Sequence, residues 1–249
     1  MKKQKAKSAK QGQKAKELAG SSRSSAKKIP RGGTPRKGTD PQRVRAILQR
    51  LDETYPDATC ALKFDGPFQL LISTILSAQC TDEVVNQVAA NLYPKYPTPK
   101  DLAYANPQEV EQVIRPTGFF RNKTKSIMGA SKKIVEEFGD QVPRTMEQLL
   151  TLPGVARKTA NVVLGTAFGI AVGVVVDTHV MRLSRRLDFT KHTDPKKIEQ
   201  DLMKIIPQNK WILFVHQLIW HGRRVCQARK PRCVECTLER LCYSKDKTV

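Results

Sequence analysis

The sequence is poor in several features, and each shortage excludes a class of protein. No apolar run approaches the roughly eighteen residues that a membrane-spanning helix requires. Residues 1–30 are charged and contain no apolar segment of the secretory kind, so we expect no signal peptide. Strand patterns are scarce as well, because the only strand-like run is residues 174–176 and no alternation of strands and helices occurs. We therefore expect a protein that neither spans a membrane, nor is secreted, nor folds around a parallel sheet.

Acidic residues are few relative to basic ones. The 249 residues include 23 Asp and Glu against 44 Lys and Arg, a formal net charge of +21. Residues 1–40 hold 13 of the basic and two of the acidic residues, net +11, and no aromatic residue. This composition predicts a disordered basic tail over residues 1–39, which either solubilises the protein or tethers it to DNA. The remaining residues hold 31 basic and 21 acidic side chains, net +10. The basic excess of the whole chain indicates a polyanionic partner, with nucleic acid first and an anionic membrane second.

Apolar residues recur at helical spacing from residue 41 onward. Residues 68–78 (FQLLISTILSA) carry no charge and predict a buried central helix. Several positions are typical of helix boundaries: starts at Asp40-Pro41, Thr81, Asn106-Pro107 and Asp194-Pro195, and an end at Gly139. The sequence therefore predicts an all-α protein of about ten short helices.

Four of the six cysteines lie within seventeen residues, in the pattern C-x6-C-x2-C-x5-C: Cys226, Cys233, Cys236 and Cys242. Disulfides are the least favoured interpretation, since nothing in the sequence indicates an oxidising compartment. A zinc site stays open, although structural zinc sites usually have two closely spaced pairs and this segment has one. The uneven spacing favours a [4Fe–4S] cluster, in which each iron takes one thiolate. The other two, Cys60 and Cys80, lie in apolar contexts and are expected in the core.

A turn between two predicted helices is the main candidate site. In residues 149–168 (LLTLPGVARKTANVVLGTAF), Pro153-Gly154 predicts either an ordinary helical hairpin or a turn whose N–H groups bind phosphate. Lys158 follows in the first turn of the next helix, where the positive end of the helix dipole favours a neutral, nucleophilic amine. Asp177, nineteen residues later, is typical of a helix N-cap, a position that also holds a carboxylate rigidly at the edge of a cleft.

Three of these segments together resemble the endonuclease III family, DNA glycosylases with abasic-site lyase activity. They are the hairpin LPGVARKTANVVL (152–164), the following VDTHVMRL (176–183) and the cysteine segment. LLISTILSAQCTD (70–82) and PTGFFRNKTKSI (116–127) match the family too, so the resemblance covers residues 41–249. Ala156 is a departure, because many relatives have glycine there, and we expect this position not to need a positive φ.

The resemblance implies a role for each of the chemical groups. Lys158 corresponds to the nucleophile, Asp177 to its acidic partner, and the four clustered cysteines to the ligands of a [4Fe–4S] cluster. His179 is expected to be structural.

The resemblance also implies the DNA contacts. The backbone N–H groups of Gly154, Val155 and Ala156 would bind the DNA backbone. Gln79 would fill the gap left by an extruded base. Phe119 is either an apolar wedge between bases or a core aromatic.

The implied fold has two α-helical lobes that flank a DNA cleft. A six-helix barrel that contains the helix-hairpin-helix would span residues 61–171. Residues 40–60 and 172–249 would form the lobe that carries the cluster. Lys158 and Asp177 would then come from different lobes and meet at their seam.

The implied function is base excision repair. The protein would remove oxidised pyrimidines from duplex DNA through a lysine Schiff base and cut the strand 3′ to the abasic site by β-elimination. We expect a monomer whose partner is double-stranded DNA with damaged bases or abasic sites, located in the cytoplasm at a bacterial nucleoid or in a eukaryotic nucleus.

Two alternatives remain open. An adenine-specific mismatch glycosylase of the same superfamily would lack the catalytic lysine and carry an extra C-terminal domain, whereas this sequence has Lys158 and ends seven residues after Cys242. A non-enzymatic DNA-binding protein with a hairpin and a zinc site would not need the pair of Lys158 and Asp177.

Overall fold

The computed structural model describes residues 38–248, and the predicted tail over residues 1–39 lies outside this range except for its last two residues. Within the described range the regular structure consists of α-helices and short 3-10 turns without any strand, so the all-α prediction is confirmed. The strand-like run at residues 174–176 has no regular structure. No helix between residues 38 and 248 is both long and apolar enough to cross a membrane.

Eleven α-helices occur in residues 38–248, close to the predicted ten. They are α1 (Pro41–Thr54), α2 (Gly66–Leu76), α3 (Asp82–Leu92), α4 (Pro99–Ala103), α5 (Pro107–Ile114), α6 (Phe120–Phe138), α7 (Met146–Leu149), α8 (Arg157–Phe168), α9 (Thr178–Arg186), α10 (Pro195–Ile205) and α11 (Trp211–Arg224). The pattern did not predict α4, which is only five residues long and begins with a capping box between Thr98 and Asp101.

The predicted helix boundaries are confirmed by their hydrogen bonds. Asp40 Oδ1 accepts from the N–H of Gln42 at 2.8 Å and starts α1. Asp194 Oδ1 accepts from the N–H of Lys197 at 3.0 Å and starts α10. Gly139 ends α6 with a φ of +57°, the left-handed conformation that glycine adopts without strain. Short polar caps and a glycine therefore set where these helices start and stop.

Buried apolar side chains form two clusters. The first is built from residues 62–164, which include α2 to α8, and α2 lies within it as the predicted buried helix. The second is built from residues 44–58 and 174–238, which include α1 and α9 to α11. Because α1 belongs to the second cluster, the chain passes from one cluster to the other twice.

Helices α8 and α11 bring the two clusters together. A Cβ at Gly165 of α8 would lie only 3.2 Å from Cγ1 of Ile212 on α11. The missing side chain at Gly165 therefore lets the helices approach closely, and the pocket described next lies along this line of contact.

Candidate active site and cysteine cavity

One pocket is lined by residues from both clusters, and it contains the two residues expected to carry out the chemistry. Lys158 from α8 and Asp177 from the start of α9 both line it, together with the aromatic residues Trp211 and Trp220 of α11. The structure therefore brings together two residues that lie nineteen positions apart in the sequence.

Lys158 is the second residue of α8 and is exposed. The N-cap of this helix is Ala156, and no side chain within the described range caps it. The first N–H groups of an α-helix have no acceptor within the helix itself. A lysine amine and a set of outward-facing backbone donors are thus adjacent at the start of α8.

Asp177 is the N-cap of α9, as the sequence predicted. Its Oδ1 accepts a hydrogen bond from the N–H of Val180 at 2.7 Å, and the residue is half-buried at the wall of the pocket. This bond fixes the rotamer of the carboxylate, so the cap also sets where the negative charge lies relative to α8.

Glu199 of α10 fixes the start of α8 from the other side. Its two carboxylate oxygens accept from Nε and a terminal nitrogen of Arg157 at 3.0 and 3.1 Å. Oε1 also accepts from the Asn161 amide at 3.1 Å, and the Glu199 side chain is only 8% exposed. The hydrogen bonds with Glu199 raise the pKa of the Arg157 guanidinium. Arg157 and Asn161, which lie on either side of Lys158 along α8, are therefore bound to α10.

The hairpin before α8 has one glycine whose conformation is required. Gly154 has a φ of +76°, and a Cβ there would lie 2.7 Å from Cβ of Ser126 on α6. Ala156 has a φ of −98°, in agreement with the expectation that this position needs no glycine.

The three hairpin residues expected to contact DNA differ in what their N–H groups do. The N–H of Val155 donates to the carbonyl oxygen of Leu152 at 3.2 Å, and its side chain is buried in the first cluster. This N–H is therefore used within the turn. Gly154 and Ala156 are exposed and donate no backbone hydrogen bond to another part of the described chain.

Gln79 and Phe119 both lie on exposed loops with unusual backbone angles. Their φ values are +53° and +47°, in the left-handed region that non-glycine residues rarely adopt. Phe119 is 67% exposed, which excludes the alternative that it is a core aromatic. The structure thus presents both side chains to solvent on short, strained loops.

The four clustered cysteines line a single cavity, beside Arg186 and Lys247. All four are half-buried and unpaired. Burial raises the pKa of the Cys236 thiol to about 11, and the other three thiols add to this rise. Arg186 donates to Sγ of Cys226 at 3.3 Å.

No three His, Cys, Asp or Glu side chains between residues 38 and 248, the four clustered cysteines included, are arranged around a single metal ion. The remaining cysteines, Cys60 and Cys80, are half-buried against the first cluster, so the prediction that they contribute to the core is confirmed in part.

The structure shows roles for two residues that the sequence pattern did not predict. Glu199 is one, because nothing in the α10 sequence indicates that its carboxylate is buried. The other is Lys123 of α6, which is only 6% exposed. The sequence pattern indicates this burial, because Lys123 occurs in helical register with the buried Ile127, Ala130 and Ile134.

Comparisons with known proteins agree with this geometry. Residues 72–208 match the family described as HhH-GPD superfamily base excision DNA repair protein. Endonuclease III of Synechocystis sp. is 61% identical over 203 residues, which are 82% of this chain and 93% of that protein.

Two solved structures resemble the chain equally well. A non-covalent endonuclease III–DNA complex and a trapped endonuclease III–DNA covalent intermediate each match with a TM-score of 0.77 and 43% identity. Both matches cover 82% of this chain, and they cover 95% and 96% of those chains.

Proposed function

Because this chain belongs to the endonuclease III family of the HhH-GPD superfamily, we propose that it is a DNA glycosylase and abasic-site lyase of base excision repair. Its partner is duplex DNA that contains damaged bases or abasic sites, and the preferred bases are oxidised pyrimidines. The observation that carries this proposal is the pocket that Lys158 and Asp177 share. The solved relative trapped in a covalent intermediate with DNA also supports it.

The mechanism begins with DNA placed across the two lobes, whose proposed bounds are 61–171 for the barrel, and 40–60 with 172–249 for the other lobe. The N–H groups of Gly154 and Ala156 and those of the first turn of α8 bind a phosphate, because a helix N-terminus attracts an anion. Val155 anchors the turn through its buried side chain. Gln79 enters the duplex and fills the gap left by the extruded base. Phe119 enters as an apolar wedge and separates neighbouring bases.

The chemical step depends on Lys158 and Asp177. The neutral amine of Lys158 attacks C1′ of the sugar, so that a C–N bond forms while the bond from C1′ to the base breaks. Asp177 accepts the lysine proton or stabilises the cationic sugar as it forms. The C1′–O4′ bond of this adduct then breaks, O4′ takes up a proton, and the C1′–N bond becomes the double bond of a Schiff base, which acidifies the C2′ hydrogen. Loss of that proton forms the C2′–C3′ double bond and expels the 3′ phosphate, which cuts the strand.

The four cysteines of the C-terminal segment fit a [4Fe–4S] cluster, which would stabilise the second lobe. Burial and the neighbouring thiols raise the pKa of Cys236 and of Cys242, so a positive group in the cavity is needed before these two thiols ionise. The four cysteines line one cavity, and their uneven spacing in the sequence favours a group of several irons over one zinc ion. The positive loop residues Arg229, Lys230 and Arg232 lie between the first two cysteines and could reach DNA phosphates.

Borohydride trapping tests the proposed function. The wild-type protein should form a covalent adduct with duplex DNA that contains an abasic site or thymine glycol. Lys158→Ala should lose the adduct and still bind the duplex, because the substitution removes the amine and leaves the hairpin intact. Lys196→Ala, at an exposed position of α10, serves as the control and should trap normally. An adduct of undiminished yield in Lys158→Ala would contradict the proposal.

A further inference from the structure

Lys123 of α6 is a buried lysine that donates to two backbone carbonyls and has no carboxylate partner among residues 38–248. Its Nζ lies 2.8 Å from the carbonyl oxygen of Leu76 and 2.7 Å from that of Thr117. Burial lowers the pKa of its ammonium, and the nearby Cys80 thiol partly opposes this effect. Burying an ammonium carries a large desolvation cost, which a merely structural position avoids by using an apolar residue.

The two carbonyls belong to the ends of two different segments. Leu76 is the last residue of α2, and the chain continues from it to Gln79. Thr117 is the last residue of the short 3-10 helix Arg115–Thr117, and the chain continues from it to Phe119. Carbonyls at helix ends have no partner within the helix, so a donor from elsewhere must satisfy them. A single ammonium, which has three donors, satisfies both.

The backbone beyond each carbonyl is strained. Gln79 and Phe119 are two of the five non-glycine residues with positive φ in the described range, and each follows its anchored carbonyl by two or three positions. Such conformations persist only where the surrounding structure holds them in place. The single Nζ atom of Lys123 donates hydrogen bonds to both segments.

Helix α6 also contacts the hairpin. A Cβ at Gly154 would meet Ser126, and a Cβ at Gly129 would lie 3.2 Å from Pro153. Lys123 therefore fixes the two loops on the same helix against which the phosphate-binding turn packs.

We propose that Lys123 is a positioning residue that holds the Gln79 and Phe119 loops at one fixed spacing, so that both side chains enter the duplex together when a base is extruded. This inference rests on the proposed function, because base extrusion is a step of that function.

Lys123→Met tests the proposal, since methionine keeps most of the length of the side chain and removes the donors. Excision of thymine glycol from duplex DNA should slow at least tenfold. Borohydride trapping on a single-stranded abasic oligonucleotide should stay within twofold of wild type, because no base has to be extruded there. The fluorescence of 2-aminopurine placed opposite the lesion should rise less upon binding than it does with the wild type.

Two controls separate positioning from charge and from stability. Lys125→Met removes the same charge from an exposed position two residues away on α6 and should leave the ratio of duplex to single-strand activity unchanged. In a Gln79→Ala/Phe119→Ala background, Lys123→Met should slow duplex excision by less than a further twofold, since the side chains it positions are gone. If the methionine variant does not fold, Lys123→Gln is used for the same measurements, because the glutamine side chain is too short to donate to both carbonyl oxygens.

The proposal would be overturned if Lys123→Met lost activity equally on duplex and single-stranded DNA. It would also be overturned if Lys123→Met slowed duplex excision as much in the Gln79→Ala/Phe119→Ala background as it does alone, or if Lys125→Met were as defective as Lys123→Met. A wild-type protein inactive on every substrate would instead contradict the proposed function.

Discussion

Arg157 of α8 and Glu199 of α10 form an ion pair with two hydrogen bonds. Arg157 immediately precedes Lys158 in the sequence. The carboxylate is nearly buried, whereas the guanidinium is 45% exposed. The pair joins a residue of the hairpin helix to the second cluster, so it controls how the start of α8 lies relative to Asp177. The position of the proposed nucleophile is therefore decided by a residue that lies 41 positions further along the chain.

Glu199→Gln should weaken this connection. It removes the charge from a site that accepts three hydrogen bonds, and we expect a loss of roughly 1–2 kcal/mol in the free energy of unfolding, given that Arg157 is half-exposed. Urea unfolding measures the loss, and thymine glycol excision should slow in parallel. The control is Glu53→Gln, because Glu53 pairs with Arg50 at the surface at 3.0 Å and should contribute at most about 1 kcal/mol. Equal stability of the two variants would show that the α8–α10 pair does not hold the site.

Asp177→Asn should separate capping from catalysis. Asparagine caps a helix about as well as aspartate, so the free energy of unfolding should change by less than about 0.5 kcal/mol. Excision should slow by roughly a hundredfold or more, because the charge that assists the lysine is gone. Asp177→Ala should show the same loss of rate and a further loss of about 1 kcal/mol from the missing cap. If Asp177→Asn keeps the wild-type rate, the residue is a cap alone.

Gly154→Ala should disrupt the hairpin for two reasons that can be measured separately. The positive φ costs about 1–2 kcal/mol for a residue with a side chain, and the new Cβ would also overlap Ser126. Gly139→Ala is the matched control, because Gly139 has a φ of +57° and nothing within 4 Å of the position of a Cβ. Thermal unfolding should place Gly154→Ala below Gly139→Ala, and only the former should weaken DNA binding.

The added loss from the overlap should be recovered in part by Ser126→Gly, which removes the atoms that the new Cβ would meet. Gly154→Ala with the stability of the Gly139→Ala control would mean that the turn does not depend on the close contact with α6.

Cys236→Ser should remove or greatly reduce bound iron. Because each iron of a [4Fe–4S] cluster takes one thiolate, the loss of one ligand weakens the whole group. Protein purified under anaerobic conditions should be brown, with about four irons and four sulfides per chain in the wild type. Cys80→Ser, which changes a cysteine outside the cavity, should leave the iron content unchanged. A colourless wild-type protein with one zinc ion per chain would contradict the cluster.

Helix boundaries could be predicted from the sequence because they depend on local chemistry. Asp40, Thr81 and Asp194 cap helices with their own side chains, and Gly139 ends one by adopting a positive φ, so each effect acts over three or four residues. Phe119 could not be assigned in this way, since an exposed wedge and a core aromatic have the same identity and only tertiary packing shows that its ring is exposed.

The helical class and the family could be predicted from periodicity and short motifs, and the chemistry of single side chains was enough to propose which groups react. Which groups meet depends on how the helices pack against one another. The tertiary structure placed Lys158 and Asp177 in one pocket, buried the Glu199 carboxylate against Arg157, and set the Lys123 ammonium between two loop ends. These relationships depend on the packing of helices from distant parts of the chain, and hydrogen bonds between residues 42 or 47 positions apart leave no local pattern in the sequence.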